Sequence, residues 1–204
     1  MNGDILNLDA IRAGDLICRD SGGFIGKSIK WCTSTPESQT LWNHDAIIVR
    51  QRGQLCIGDS LMGRECQLTV PIEWEQGCQK HGHKLIVLRP AAATAEQGET
   101  AAQAWLDSVW GTPYDKVALY RLFLKKIFGD WLPGQVGLET HFFCTEGVAL
   151  AWKCVAGYVS PWSPATANET PGTTCRAWRT GSFVEVPGAF TPEGERFRII
   201  SACL

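Results

Sequence analysis

In the first half of the chain apolar residues come in short continuous bursts broken by turn residues, and in the second half they recur at helical spacing. Gly14-Asp15-Leu16-Ile17-Cys18, Ala46-Ile47-Ile48-Val49, Gln54-Leu55-Cys56-Ile57 and Lys84-Leu85-Ile86-Val87-Leu88 each read as a strand, being apolar runs too short for a helix and bounded by turn signals. Gln51-Arg52-Gly53 joins the second and third into a hairpin, so these runs predict a small, largely antiparallel sheet. Between the first two strands, Phe24, Ile25, Ile29 and Trp31 fit a short helix that Ser34, Thr35 and Pro36 end.

Helices dominate the remainder. Thr94-Ala95-Glu96-Gln97 has the form of a capping box, Ala101, Ala102, Trp105, Leu106 and Val109 follow at helical spacing, and Gly111 and Pro113 stop the run. A second helix is predicted over 117–128, with Arg121, Lys125 and Lys126 toward the end where the helix dipole favours cations and Gly129 as its cap. A third is predicted over 145–155, closed by Gly157. Residues 160–174 are rich in Pro, Ser, Thr and Gly and read as a long surface loop bordering a cleft. Further strands are expected at 182–186 and near 197–200.

With 204 residues, 45% of them hydrophobic, the chain can bury the core of a single domain, expected to span 1–204. Its formal charge of -2, with no basic block longer than Lys125-Lys126, argues against nucleic acid as a partner. No apolar run has the length of a transmembrane segment, and Met1-Asn2-Gly3-Asp4 does not open a signal peptide. The nine cysteines include no Cys-x-x-Cys pair, so reduced core thiols are expected and no metal site is read. His81-Gly82-His83 fits a polar, solvated turn.

Cys144 stands apart from the other thiols. In Phe142-Phe143-Cys144-Thr145-Glu146-Gly147 an apolar approach turns at once into a helix-forming run, and a thiol at a helix start faces unpaired N–H groups that favour the thiolate. A nucleophilic thiol needs a base, and His44 is the best placed of four histidines because Trp42-Asn43-His44-Asp45 opens a rigid apolar strand. His141 is close in sequence but directed away if Phe142 and Phe143 enter the core. The hairpin would carry Asp59 to the strand beside His44, where a carboxylate fixes the ring tautomer and stabilises imidazolium; the same residue also fits the start of a turn. Asp45 should face away from His44 on its strand.

The order of these motifs resembles the circularly permuted branch of the NlpC-type papain-like hydrolases, which includes YiiX-like bacterial proteins and, more distantly, lecithin retinol acyltransferase. The residues carrying the resemblance are Gly14-Asp15-Leu16-Ile17, Ile29-Lys30-Trp31-Cys32-Thr33, Asn43-His44-Asp45-Ala46, Gly111-Thr112-Pro113-Tyr114-Asp115 and Cys144-Thr145-Glu146. It implies an α+β, papain-like fold in which a small antiparallel sheet packs against helices and the nucleophile opens a helix. It covers a core of about 12–157, leaving 158–204 as a loop-rich C-terminal elaboration. It implies Cys144 as nucleophile, His44 as base and Asp59 as the orienting group, with Tyr114 near the nucleophile as an oxyanion donor. Tyr114 also fits a plain core aromatic. Asp45 and Thr145 depart from the small residue and the serine usual at their positions in relatives.

The expectation is a cofactor-independent, monomeric thiol hydrolase acting on peptidoglycan peptides. Without an export signal, such an enzyme would be made in the cytoplasm and reach the periplasm of a target cell through a type VI-like secretion apparatus or phage lysis. In the toxin case an immunity protein would cover its cleft. Two alternatives remain: a lipid acyl hydrolase or acyltransferase on the same scaffold, and an inactive interaction module.

Overall fold

The β2–β3 hairpin shows how local sequence sets the frame. In the structure, a computed structural model that describes residues 6–128, 141–162 and 169–191, β2 (His44–Gln51) and β3 (Gln54–Asp59) are joined by Arg52 and Gly53, both at positive φ (51° and 83°). A two-residue turn of that shape matches the right-handed twist of the strands it connects. With β1 (Leu16–Asp20), β4 (Gln67–Thr69), β5 (Lys84–Pro90) and β6 (Phe183–Glu185) these strands form a six-stranded sheet of order β4-β3-β2-β1-β5-β6, antiparallel throughout.

The apolar bursts are continuous because both faces of the sheet are covered. One face presents Leu16, Cys18, Ile47, Val49, Ile86 and Leu88 to Trp105 of α3 (Ala95–Ser108) and Val148 and Trp152 of α5 (Cys144–Lys153). The alternate residues Ile17, Ala46, Ile48, Leu85 and Val87 meet Trp74 and Cys78 of α2 (Pro71–Lys80) on the other. The structure is therefore mixed α+β, with six helices among the described residues. None of them is long and apolar enough to cross a membrane.

Several expected elements are present: α1 (Phe24–Thr33), α3 with its Thr94–Gln97 capping box, and α4 (Lys116–Phe128). The expected loop over 160–174 ends at Thr170, because α6 (Pro171–Arg179) begins there. Its small residues pack closely instead of looping: a Cβ on Gly172 would meet the Thr33 carbonyl oxygen at 2.4 Å. Residues 163–168, the Gly129 cap and the strand expected near 197–200 lie outside the described residues. Two elements were not anticipated, α2 and β4. In α2 only Trp74 and Cys78 supply buried apolar side chains, a stripe too narrow to signal a helix in sequence.

Candidate active site

His44 opens the central strand β2, and each neighbouring strand sets a charged residue beside it. Arg19 on β1 is its direct cross-strand partner. On β3, Asp59 lies one residue past the Ile47–Gly58 pair, on the diagonal that shares His44's face. The ring donates from Nε2 to Asp59 Oδ1. The second carboxylate oxygen accepts from Trp74 Nε1 at 2.9 Å, so α2 completes this anchor. Burial alone would raise the Asp59 pKa, but His44, Arg19 and the Trp74 N–H outweigh it and lower it to about 2. Asp59 is thus an ionised, fully engaged carboxylate, and His44 Nδ1 has no hydrogen-bond partner among the described residues.

The thiol comes from the opposite side of the sheet. Cys144 is the first residue of α5, and Glu146 fixes the entry by accepting from the Phe143 N–H at 2.9 Å. Burial raises the Glu146 carboxyl to about 7. A second tie runs from the sheet: Asp45 Oδ2 accepts from Thr145 Oγ1 and from Thr174 Oγ1 of α6, each at 2.8 Å. Asp45 faces away from His44, as strand alternation requires, and grips the two helix starts instead. This positioning role was missed in the sequence, where only its orientation was read.

Cys144 and His44 line one cavity of about 540 Å³, and they are 2% and 7% exposed. The helix start was expected to favour thiolate, yet burial pushes the Cys144 thiol well up and Asp45 adds to this, against the opposing backbone groups of Asp45 and Thr145. Burial thus favours the protonated thiol, and a nucleophilic role for it would require a base.

Tyr114 lines the same cavity, with its ring 5.8 Å from that of Phe143. Burial, reinforced by Cys144 and Glu146, holds its hydroxyl far above the ordinary range, so it is a proton donor at any physiological pH. No hydrogen bond occupies that hydroxyl among the described residues. His141 lines a separate depression with Pro113 and Lys116. His81 and His83, expected to face solvent, stack with centroids 5.6 Å apart on the wall of the Cys144 cavity. Trp74 and Arg19 escaped the sequence reading. Arg19 had a findable signal, because it continues the face of Ile17 on β1 and a charge there breaks the apolar pattern.

No family model matches the chain, and no curated protein matches it. Among solved structures, the crystal structure of metalloprotein yiiX from Escherichia coli O157:H7 is similar over 87% of this chain and 90% of that one, with a TM-score of 0.52 and 18% sequence identity. The chain shares the fold of that protein.

Proposed function

We propose that the protein is a cysteine hydrolase that cleaves an amide bond in the peptide stems of bacterial peptidoglycan, on a permuted NlpC-type, papain-like scaffold. One observation carries the reading: His44 is tied through Nε2 to a buried, ionised Asp59 and shares a cavity with a thiol at a helix start. His44 Nδ1 takes the Cys144 proton as the sulfur adds to the carbonyl carbon. The oxygen gains the charge, opposite the Cys144 backbone N–H and the Tyr114 hydroxyl. Collapse of the adduct restores the carbonyl, breaks the C–N bond and passes the Nδ1 proton to the departing amine. Water then gives a proton to Nδ1 and its oxygen to the thioester carbon, releasing the acid and, with that proton, the Cys144 thiol. Throughout, Asp59 holds the Nε2–H tautomer and stabilises the imidazolium.

The Escherichia coli neighbour is described as a metalloprotein. Among the described residues of this chain no three His, Cys, Asp or Glu side chains converge as a metal site requires. The facing atoms of His44 and Asp59 are spent on each other, so this donor set does not fit an ion and no step runs through one.

A cell-wall substrate extends the proposal to delivery into the periplasm of a target cell and to an immunity protein that covers the cleft. A second reading, a lipid acyl hydrolase or acyltransferase, is favoured by apolar exposure near the site. Phe24 and Ile25 on the cavity wall are 86% and 45% exposed, and Tyr120 and Ile127 on α4 are 71% and 62% exposed. Mass spectrometry of purified muropeptides and of a lipid ester after incubation separates the two. New peptide fragments, absent with Cys144→Ala, are expected. Cleavage of the lipid ester alone would transfer the assignment to the second reading, and full turnover by Cys144→Ala would remove this thiol from the mechanism.

A further inference from the structure

The cavity that holds Cys144 and His44 has a second pole that the hydrolytic steps do not use. Arg19 lies across the β1–β2 ladder from His44, and its guanidinium rests 5.6 Å from the Trp74 ring centroid. It forms no ion pair among the described residues. The carboxylates around it are already committed: Asp59 to His44 and Trp74, and Asp20 to Lys30 at 2.7 Å and to Asn43. Arg19 Nε is buried without a hydrogen-bond partner, and so is Nδ1 of His83 on the same wall. Buried polar atoms left unpaired are rare in folded proteins, and these two belong to side chains that line one cavity.

The sign of a ligand bound there follows from the lining. Arg19, His44, His81 and His83 all contribute to the cavity and no carboxylate side chain does, among the described residues. Burial, Arg19 and His81 lower the His83 pKa to about 4, so its ring is a neutral hydrogen-bonding group and Arg19 supplies the charge. The chain over Gly22 and Gly23 leads into α1 along the same wall, with no side-chain cap and no acidic residue in the first turn. A Cβ on Gly26 would meet the Ser21 carbonyl oxygen at 2.3 Å, so this loop is held close against the helix.

We propose that the Arg19 pole is a subsite for a carboxylate of the substrate, held by the guanidinium with His83 as a second hydrogen-bonding partner, while the scissile amide lies at Cys144. A planar carboxylate matches the guanidinium fork, and it would offset the positive charge beside the ring that must accept the Cys144 proton. This deepens the hydrolase reading and rests on it for the placement of the scissile bond. The substrate would be a peptide with a free carboxyl group close to the bond that is cut.

The test separates binding from catalysis by using the full chain with Cys144→Ala. Calorimetry with a peptidoglycan stem tetrapeptide and with the same peptide amidated at every carboxyl group is expected to show the acid form binding roughly tenfold tighter or more, the size of a charge-assisted contact. Adding Arg19→Gln should erase that preference, and Arg19→Lys should restore part of it, which a merely structural Arg19 would not do. Equal binding of acid and amide, or a preference unchanged by Arg19→Gln, overturns the subsite and leaves the hydrolase reading standing. Retained discrimination by the Cys144→Ala protein, with no hydrolysis of either peptide by the wild-type chain, upholds the subsite and sinks the hydrolase reading instead.

Discussion

Asp45 and Asp59 sit on neighbouring strands, each 1% exposed, and their surroundings drive them in opposite directions. Asp59 is hydrogen-bonded to His44 and the Trp74 indole and feels the charge of Arg19, and its pKa falls to about 2. Burial raises the Asp45 pKa, although the hydroxyls of Thr145 and Thr174, the Cys18 thiol and the neighbouring His44 oppose it. Equal burial therefore does not decide ionisation; the hydrogen bonds from His44 and Trp74 and the charge of Arg19 on one face of the sheet do. That division also separates the contacts: the Asp59 face anchors His44, the proposed base, and the Asp45 face holds the start of the helix that Cys144, the proposed nucleophile, opens.

The sharpest break of this contrast is Asp59→Ala. It leaves the Trp74 N–H and His44 Nε2 without their acceptor, so kcat on muropeptides should fall by about a hundredfold or more, with a loss of roughly 3 kcal/mol of stability. A variant with normal kcat would mean that Asp59 has no part in orienting the base.

Titration separates the two aspartates by sign. Asp59 binds a proton less readily when folded, so its contribution, on the order of 2 kcal/mol, is present above the ordinary value of 3.8 and lost as pH falls to about 2. Asp45 binds a proton more readily when folded, so its effect on stability turns unfavourable as pH rises through its raised value. Thermal melts of Asp59→Asn and Asp45→Asn against wild type should show this directly. The Asp59→Asn deficit should be largest at neutral pH and shrink toward pH 2, whereas Asp45→Asn should gain on wild type as pH rises. Parallel curves would erase the distinction.

The smallest expected effect is that of Tyr114→Phe. Loss of its hydroxyl donor should lower kcat by about ten- to a hundredfold with KM little changed, and an unchanged kcat would make the ring a packing residue only.

Strand alternation made much of this arrangement readable in advance. The hairpin at Arg52-Gly53 places Asp59 on the face of His44, and the capping sequence at Thr94 and the apolar spacing after it lead to α3. What escaped depends on pairings distant in sequence. Trp74 reaches Asp59 from a helix whose buried apolar stripe is only Trp74 and Cys78. Pro171, Gly172, Thr173 and Thr174 have loop composition, yet the close approach of Gly172 to Thr33 makes them a packed helix. The ionisation of Cys144 was misjudged because helix-start electrostatics can be read locally, whereas burial of the thiol depends on the whole fold.

The central claim is that Cys144 depends on His44 to lose its proton, and the alkylation rate at neutral pH tests it most directly. Peptide mass mapping after a low dose of iodoacetamide follows Cys144, with exposed Cys154 as an internal reference. Wild type should show Cys144 modified at a rate that falls by about tenfold or more in His44→Ala while Cys154 is unchanged. Equal modification of Cys144 in both proteins would contradict the account.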